Sequence, residues 1–400
     1  MAGIIFHIDV NSAFLSWSAI KLLEEGSETD LRLIPSIVGG DRKTRHGIVV
    51  AKSIPAKKYG IHTADTVASA FNKCPNLVSV PPDHAYYSEK SSQLMDYLRD
   101  ICPQIQKVSI DECYMDFEPI RHQFASPEAA ARAICDGVYQ TFGFTVNVGI
   151  SDRKILAKMA SDFEKPNRVH TLYASEIREK LWPLPISALH MCGKSSAAAL
   201  QQLGIRTIGD LARSDEERII YRLKSHGRLL WQYANGIDNS QVNPEPREVK
   251  SIGNSTTMSK DVTTRSGALP VLDRLAASVS GRLVKHNFLA GQVSVEIKYA
   301  TFQSVSHQTT LDTASADKEV LYKVACQLFD ALWNGQPIRL LGIRTTNLSN
   351  ADAPVQMTIF QYQKEKELSE REKRLQEALG KIEKRYGKGA IGRGSDRMSK

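Results

Sequence analysis

The sequence has 400 residues, 42% of them hydrophobic and 24% charged, which is too long for one compact domain of roughly 100 to 200 residues and too apolar to stay unfolded. It holds no window near the ~20 uninterrupted apolar residues that span a bilayer, no basic leader at its start, and six scattered cysteines (74, 102, 113, 135, 192, 326) without a C-x-x-C pair. This argues against a membrane span, a disulfide scaffold and a zinc module, and the expectation is a cytoplasmic, monomeric protein. Net charge is +8, with 12 Lys and Arg against 7 Asp and Glu in residues 361–400; that balance suits a polyanionic partner and a solvated helical tail alike.

Ile4, Ile5, Phe6, His7, Ile8, Asp9 and Val10 form a short β-branched run, which predicts a buried strand ending in an acid. Asn11 and Ser12 then stand as caps for a helix over 13–23. An apolar strand over 34–38 leads into a basic turn with Arg42, Lys43 and Arg45, another strand covers 48–51, and Pro55 opens a helix carrying Lys57. Residues 108–110 and 113–117 read as two strands meeting at Asp111 and Glu112. A strand over 144–150 precedes a helix over 154–163 that stops before Pro166. Mixed strands and helices to about residue 170 predict an α/β or α+β core. From 171 to 238 the pattern is helical, and Pro244 and Pro246 mark a polar linker over 239–250. Helical spacing over 272–284 and 320–332, with an alternating strand at 293–299 between them, predicts a second α/β unit over 251–349. The tail, 350–400, carries a dense Glu and Lys/Arg stretch over 364–384.

Three carboxylates, Asp9, Asp111 and Glu112, stand where strands end. Converging negative charges repel unless a cation sits among them, so an all-oxygen site for a divalent metal of the Mg²⁺ kind is one reading. On spacing alone, three surface acids at strand ends are the plainer reading.

The surrounding words carry more. Residues 9–14, the run Ser109, Ile110, Asp111, Glu112, Cys113, Tyr114, the stretch 157–167 with Lys165, Pro166 and Asn167, residues 203–211 and residues 250–257 follow the order and spacing of the Y-family translesion DNA polymerases. The chain resembles that family over about residues 1–350, most of all its polymerase IV branch, with a start nearer the catalytic subunit of polymerase V. The resemblance implies an α+β multidomain right-hand polymerase: palm (1–17 and 74–170), small fingers (18–73), a helical helix-hairpin-helix thumb (171–238), a linker (239–250) and a little finger (251–349). It implies that Asp9, Asp111 and Glu112, with the backbone carbonyl of Val10, hold two Mg²⁺ ions. Ala13, Phe14, Lys57 and Lys165 would meet the incoming dNTP, Phe14 as the ring that excludes a ribose 2′-hydroxyl. A packed helix residue and two solvated lysines are the plainer readings of the last three.

Two family positions depart from the pattern. The fingers tyrosine is Ile54 and the threonine is Ala51, which leaves Ser53 or the turn with Arg42, Lys43 and Arg45 as substitute donors to the triphosphate. Asn11 replaces an Asp common in the polymerase IV branch. Residues 203–211 resemble half of a hairpin that meets DNA phosphates through backbone N–H groups, and Lys250, Lys260 and Lys298 could line the strand backbone. Gln356, Ile359 and Phe360 resemble a sliding-clamp peptide, the other reading being a last strand of the little finger. The partners expected are primer-template DNA, dNTP and a sliding clamp, and too few residues remain for a proofreading domain. A catalytically silent DNA-binding protein of the same fold and a nucleotidyl cyclase are the alternatives; the intact acids argue against the first, the thumb and little-finger words against the second.

Overall fold

The computed structural model describes residues 3–41, 47–246 and 248–352. The chain divides into two units, one formed by residues 1–248 with 257–260, the other by 249–256 with 261–400. The first unit begins with β1 (Ile5–Val10), α1 (Ala13–Glu24), β2 (Ser36–Gly39), β3 (Val49–Lys52), α2 (Ile54–Lys58), α3 (Val67–Lys73) and β4 (Val78–Val80). It continues with α4 (His84–Ile101), β5 (Ile105–Lys107), β6 (Glu112–Asp116), α5 (Pro127–Phe142), β7 (Val146–Ser151), α6 (Lys154–Ser161) and β8 (Val169–Thr171), then α7 (Lys194–Gln202), α8 (Ile208–Ala212) and α9 (Glu216–Ala234). The later elements are β9 (Ser251–Val262), α10 (Arg265–Lys285), β10 (Phe288–Tyr299), β11 (Ser304–Ser315), α11 (Lys318–Leu332) and β12 (Ile338–Asn350).

The main sheet of the first unit has the order β5-β6-β1-β7-β8, so the apolar opening run becomes its central strand. β1 is antiparallel to both neighbours, with Asp9 opposite Glu112 on one side and Asn147 on the other. Side chains alternate across a strand. Phe6, Ile8 and Val10 therefore enter a core shared with Leu94, Met95 and Leu98 of α4 and Ile134 and Val138 of α5, each such burial contributing roughly 1.5–3 kcal/mol. His7 and Asp9 face the other way, toward α6. That helix crosses the sheet at Gly149, where an added Cβ would sit 2.0 Å from the Ala157 carbonyl oxygen, so only glycine allows the approach.

Two long helices lie where no element was expected. In α4 the buried residues Tyr87, Ser91, Leu94, Met95 and Leu98 keep helical spacing, and Asp83 caps the first turn by accepting from the Tyr86 N–H. In α5 the start is Ser126 accepting from the Ala129 N–H with Pro127 next, and the end is Gly143 at φ 72°. Other expectations shift. The strand expected at 108–110 is a turn, and its pairing belongs to β5 at 105–107. Ser12 does not cap α1 with its side chain; it takes a left-handed conformation, φ 48° and ψ 50°, while the Asn11 amide turns inward to Asn147.

A smaller sheet, β3-β2-β4, packs around Ile37, Val49, Ala56, Ile61 and Val67. Beyond the sheets the helical segment appears as expected, and residues 203–207 form the turn between α7 and α8 with Gly204 at φ 84°. In that turn Thr207 and Asp210 make a reciprocal capping box.

The second unit is built on the sheet β11-β10-β12-β9 with α10 and α11 packed together. Of its strands only β10 had been expected, at 293–299. β11 is almost wholly exposed and polar, so no apolar run marks it, and its pairing with β10 alone defines it. Among the described residues no helix is long and apolar enough to cross a membrane.

Candidate active site

The parity of β1 and β6 builds the site. Asp9 and Glu112 are direct cross-strand partners on the face toward α6, and α6 presents Lys158 between them. The Lys158 Nζ lies 3.3 Å from Asp9 Oδ2, 2.9 Å from Glu112 Oε2 and 3.4 Å from Asp162 Oδ2. Burial works against the ammonium charge, yet Asp9, Asp162 and Glu112 together hold Lys158 above its ordinary range. Lys165 reaches the other oxygen of Asp9 at 2.7 Å and Asp162 at 2.9 Å.

His7 is the second residue that the sequence reading passed over. It is fully buried, its Nδ1 is 2.8 Å from the Ser161 hydroxyl, and its Nε2 faces Glu112 Oε2 at 3.2 Å without the alignment of a well-formed hydrogen bond. Burial lowers its pKa, so it is neutral at ordinary pH. Ser161 carries one hydroxyl proton, for which His7 Nδ1 and the Lys158 carbonyl oxygen, each 2.8 Å away, compete. The facing His7 ring and the Lys158 ammonium hold the Glu112 carboxyl down to about 2, against burial that pushes it up. The signal for His7 was its place two residues before Asp9 on one strand, hence on one face. Lys158 lay within a quoted word and could be placed only by the helix crossing.

Asp111 behaves differently. Among the described residues the tight cluster is His7, Asp9 and Glu112, whose ligand atoms lie within 4.8 Å of one another. Asp111 sits in the turn before β6, where its carboxylate accepts from the Ser109 hydroxyl at 2.6 Å and its carbonyl accepts from the Val10 N–H at 3.0 Å. Its side chain lines a neighbouring cavity of about 390 Å³. Carboxylate oxygens are the donors a hard divalent cation takes, so Asp9 and Glu112, with Asp111 at the rim, fit such an ion; in this structure two ammonium groups supply the countercharge.

That cavity gathers most of the remaining expected residues: Ala13, Phe14, Ser53, Lys57 and Lys165 all line it. The Phe14 ring stacks on Tyr87 with centroids 4.8 Å apart and planes at 20°, and the fully buried Tyr87 is fixed in turn by a 2.5 Å contact between its hydroxyl and that of Ser18. The expectation for Ser53 needs correction. It is buried, its hydroxyl donates to the Ile34 carbonyl, and its oxygen accepts from the Ser36 and Ala56 N–H groups. With one proton and two lone pairs all engaged, Ser53 is the cap of α2 and has no donor left for a phosphate.

Asn11 serves the same site from behind. Its oxygen accepts from the Thr145 hydroxyl and the Asn167 N–H, and its amide donates to Asn147. Asn147 in turn donates to the carbonyls of Ser161 and Glu164, so this pair of amides fixes the loop that carries Lys165. The turn with Arg42, Lys43 and Arg45, and the residues Gln356, Ile359 and Phe360, lie outside the described residues.

Comparison with known proteins agrees with this architecture. The impB/mucB/samB family model matches residues 8–162, and the model of that family's C-terminal domain matches 249–359. A protein of Clostridium acetobutylicum named DNA polymerase IV is 42% identical over 391 residues, covering 98% of this chain and 97% of that protein. A Bacillus subtilis protein named DNA polymerase IV 1 is 36% identical over 394 residues, covering 98% and 92%. Among solved structures, a Y-family DNA polymerase chimera superimposes with a TM-score of 0.75 at 22% identity, over 86% of this chain and 99% of that one. A central strand that sets two acids side by side, matched over nearly the full length by such relatives, places the chain in the impB/mucB/samB family, with the fold of a Y-family DNA polymerase.

Proposed function

We propose that the chain is a template-directed DNA polymerase of the translesion type, adding deoxynucleotides to a primer without proofreading. The observation that carries this is the pairing of Asp9 with Glu112 beside a cavity of about 390 Å³ lined by lysines and by Phe14. Relatives named DNA polymerase IV support it. The main sheet with α4, α5 and α6 is then the palm, the small sheet the fingers, α7 to α9 the thumb, and the four-stranded sheet the little finger.

Two divalent ions of the Mg²⁺ type, held by Asp9, Asp111, Glu112 and the Val10 carbonyl, would supply Lewis-acid activation of the primer 3′-hydroxyl and neutralise the triphosphate. The chain's own groups do the rest. Lys158 and the facing His7 ring keep Glu112 ionised, and Lys158 and Lys165 hold the Asp9 carboxylate in place. Lys57 and Lys165 offer point charges to phosphate oxygens, with less orientation than an arginine fork would give. Phe14 blocks the space beside the sugar, and its stack on Tyr87 keeps the ring from yielding. Lys250, Lys260 and Lys298 attract the DNA backbone, and Gln356, Ile359 and Phe360 dock on a sliding clamp.

Primer extension with Mg²⁺ and single dNTPs on plain and lesion-bearing templates tests the proposal. Templated addition on both is expected, with no shortening of a mismatched primer in the absence of dNTP. Binding of primer-template without any addition would instead favour a silent DNA-binding protein of the same fold.

A further inference from the structure

The cavity beside the acids has a wall with an unusual balance of charge. Lys52, Lys57 and Lys165 line it, and Asp111 is the one acid among the lining residues. Lys165 is already bound to Asp9 and Asp162, and Lys57 is solvent-exposed. Lys52 is neither. It is half-buried at the end of β3 and donates to the Thr63 hydroxyl at 3.3 Å, and it forms no ion pair among the described residues. The nearby acid, Asp65, is engaged by Lys73 at 2.7 Å.

Among the described residues, the segment 50–54 offers no other side-chain donor to this wall. Val50, Ala51 and Ile54 present hydrocarbon, and the Ser53 hydroxyl is fully used within the fold. A partly desolvated ammonium held by a neutral hydroxyl, with a second lysine on the same wall, is a poor arrangement for the empty protein and a good one for a polyanion. Burial first and the Lys57 charge second lower the pKa of Lys52, and Asp65 only partly opposes them. The negative charge of an anionic ligand opposes both effects.

We propose that Lys52, steadied by Thr63, is a binding residue for the triphosphate of the incoming nucleotide in the cavity it shares with Lys57 and Lys165. This deepens the polymerase reading above and rests on it. Lys52 touches phosphate oxygens and takes no part in proton transfer. Its contact is made in the ground state as well as in the transition state, so its loss acts on KM and spares kcat.

The test compares wild type with Lys52→Ala, Lys52→Arg and Thr63→Val in single-dNTP primer extension, with DNA affinity measured by fluorescence anisotropy. Lys52→Ala should raise KM for dNTP about ten-fold, leave kcat and DNA affinity within about two-fold, and be largely rescued in Lys52→Arg; Thr63→Val should raise KM by a smaller factor. An unchanged KM, or a loss confined to DNA affinity, overturns the assignment. Calorimetric titration of the chain and primer-template with dATP and with dAMP keeps the two readings apart. A wild-type chain that extends no primer sinks the polymerase reading, while a preference for dATP over dAMP that disappears in Lys52→Ala still supports the phosphate role of Lys52. A preference retained in that variant refutes it.

Discussion

The two large sheets of this chain use the same alternation of side chains to opposite ends. In the five-stranded sheet the face turned to α6 hides its charges: Asp9, Glu112 and Lys158 are half-buried beside the buried His7, and the two acids and the ammonium neutralise one another over distances of about 3 Å. In the four-stranded sheet the face away from the core is open. Ser251, Gln292, Ser294, Glu296, Arg344 and Thr346 line a broad polar concavity, while Val293, Val295 and Ile297 fill the other side. Charges with little solvent interact strongly and suit chemistry at a point, whereas hydrated groups spread over a surface suit a long partner held by many weak contacts. One sheet concentrates its electrostatics and the other distributes it.

Four experiments break or sharpen that contrast. Glu112→Ala should lower nucleotide addition by on the order of 10³-fold while DNA binding stays near wild type, read by primer extension beside anisotropy; near-normal extension removes Glu112 from the chemistry. Lys158→Met leaves Glu112 without its ammonium partner and Asp9 with Lys165 alone, and a loss of about 3 kcal/mol in urea unfolding is expected, as for breaking a buried ion pair. Added Mg²⁺ should restore much of it, and the same loss at every Mg²⁺ concentration would show that the acids hold no ion.

Phe14→Ala should reduce the preference for dGTP over GTP by on the order of 10- to 100-fold, because a cavity replaces the ring against the sugar. Unchanged preference would mean that another group guards the site. The distributed sheet should respond least. Arg344→Ala, on its open face, should weaken primer-template binding only a few-fold and reduce the salt dependence by about one phosphate contact, with kcat unchanged. A hundred-fold loss there would overturn the view that this sheet shares its work among many residues.

The differing legibility of the two sheets has a physical origin. The opening strand, the helix over 154–163 and the acids at 9, 111 and 112 were readable because local apolar runs and turn residues define them. The strand β11 was not, since a polar edge strand is specified by pairing across the chain and carries no run of its own, whereas β12 is an interior strand whose buried Ile338, Leu341 and Ile343 were readable in principle. The long helices α4 and α5 were readable in principle from the spacing of Tyr87 to Leu98 and from Ser126, Pro127 and Gly143, and went unnoticed beside stronger motifs.

By itself the sequence determined which residue types were available for chemistry and the face on which a strand would present them, because period two follows from the backbone alone. It could not determine which distant residue completes each contact. That Asp9 and Glu112 pair directly while Asp111 turns to the cavity depends on the register of β1 against β6. Lys158 reaches both acids because Gly149 lets α6 lie against the sheet, and Ser53 is lost as a phosphate donor because Ile34, Ser36 and Ala56 consume its hydroxyl. Each of these is a contact between segments far apart in the chain, or the outcome of competition for one hydrogen-bonding group, and tertiary packing alone settles both.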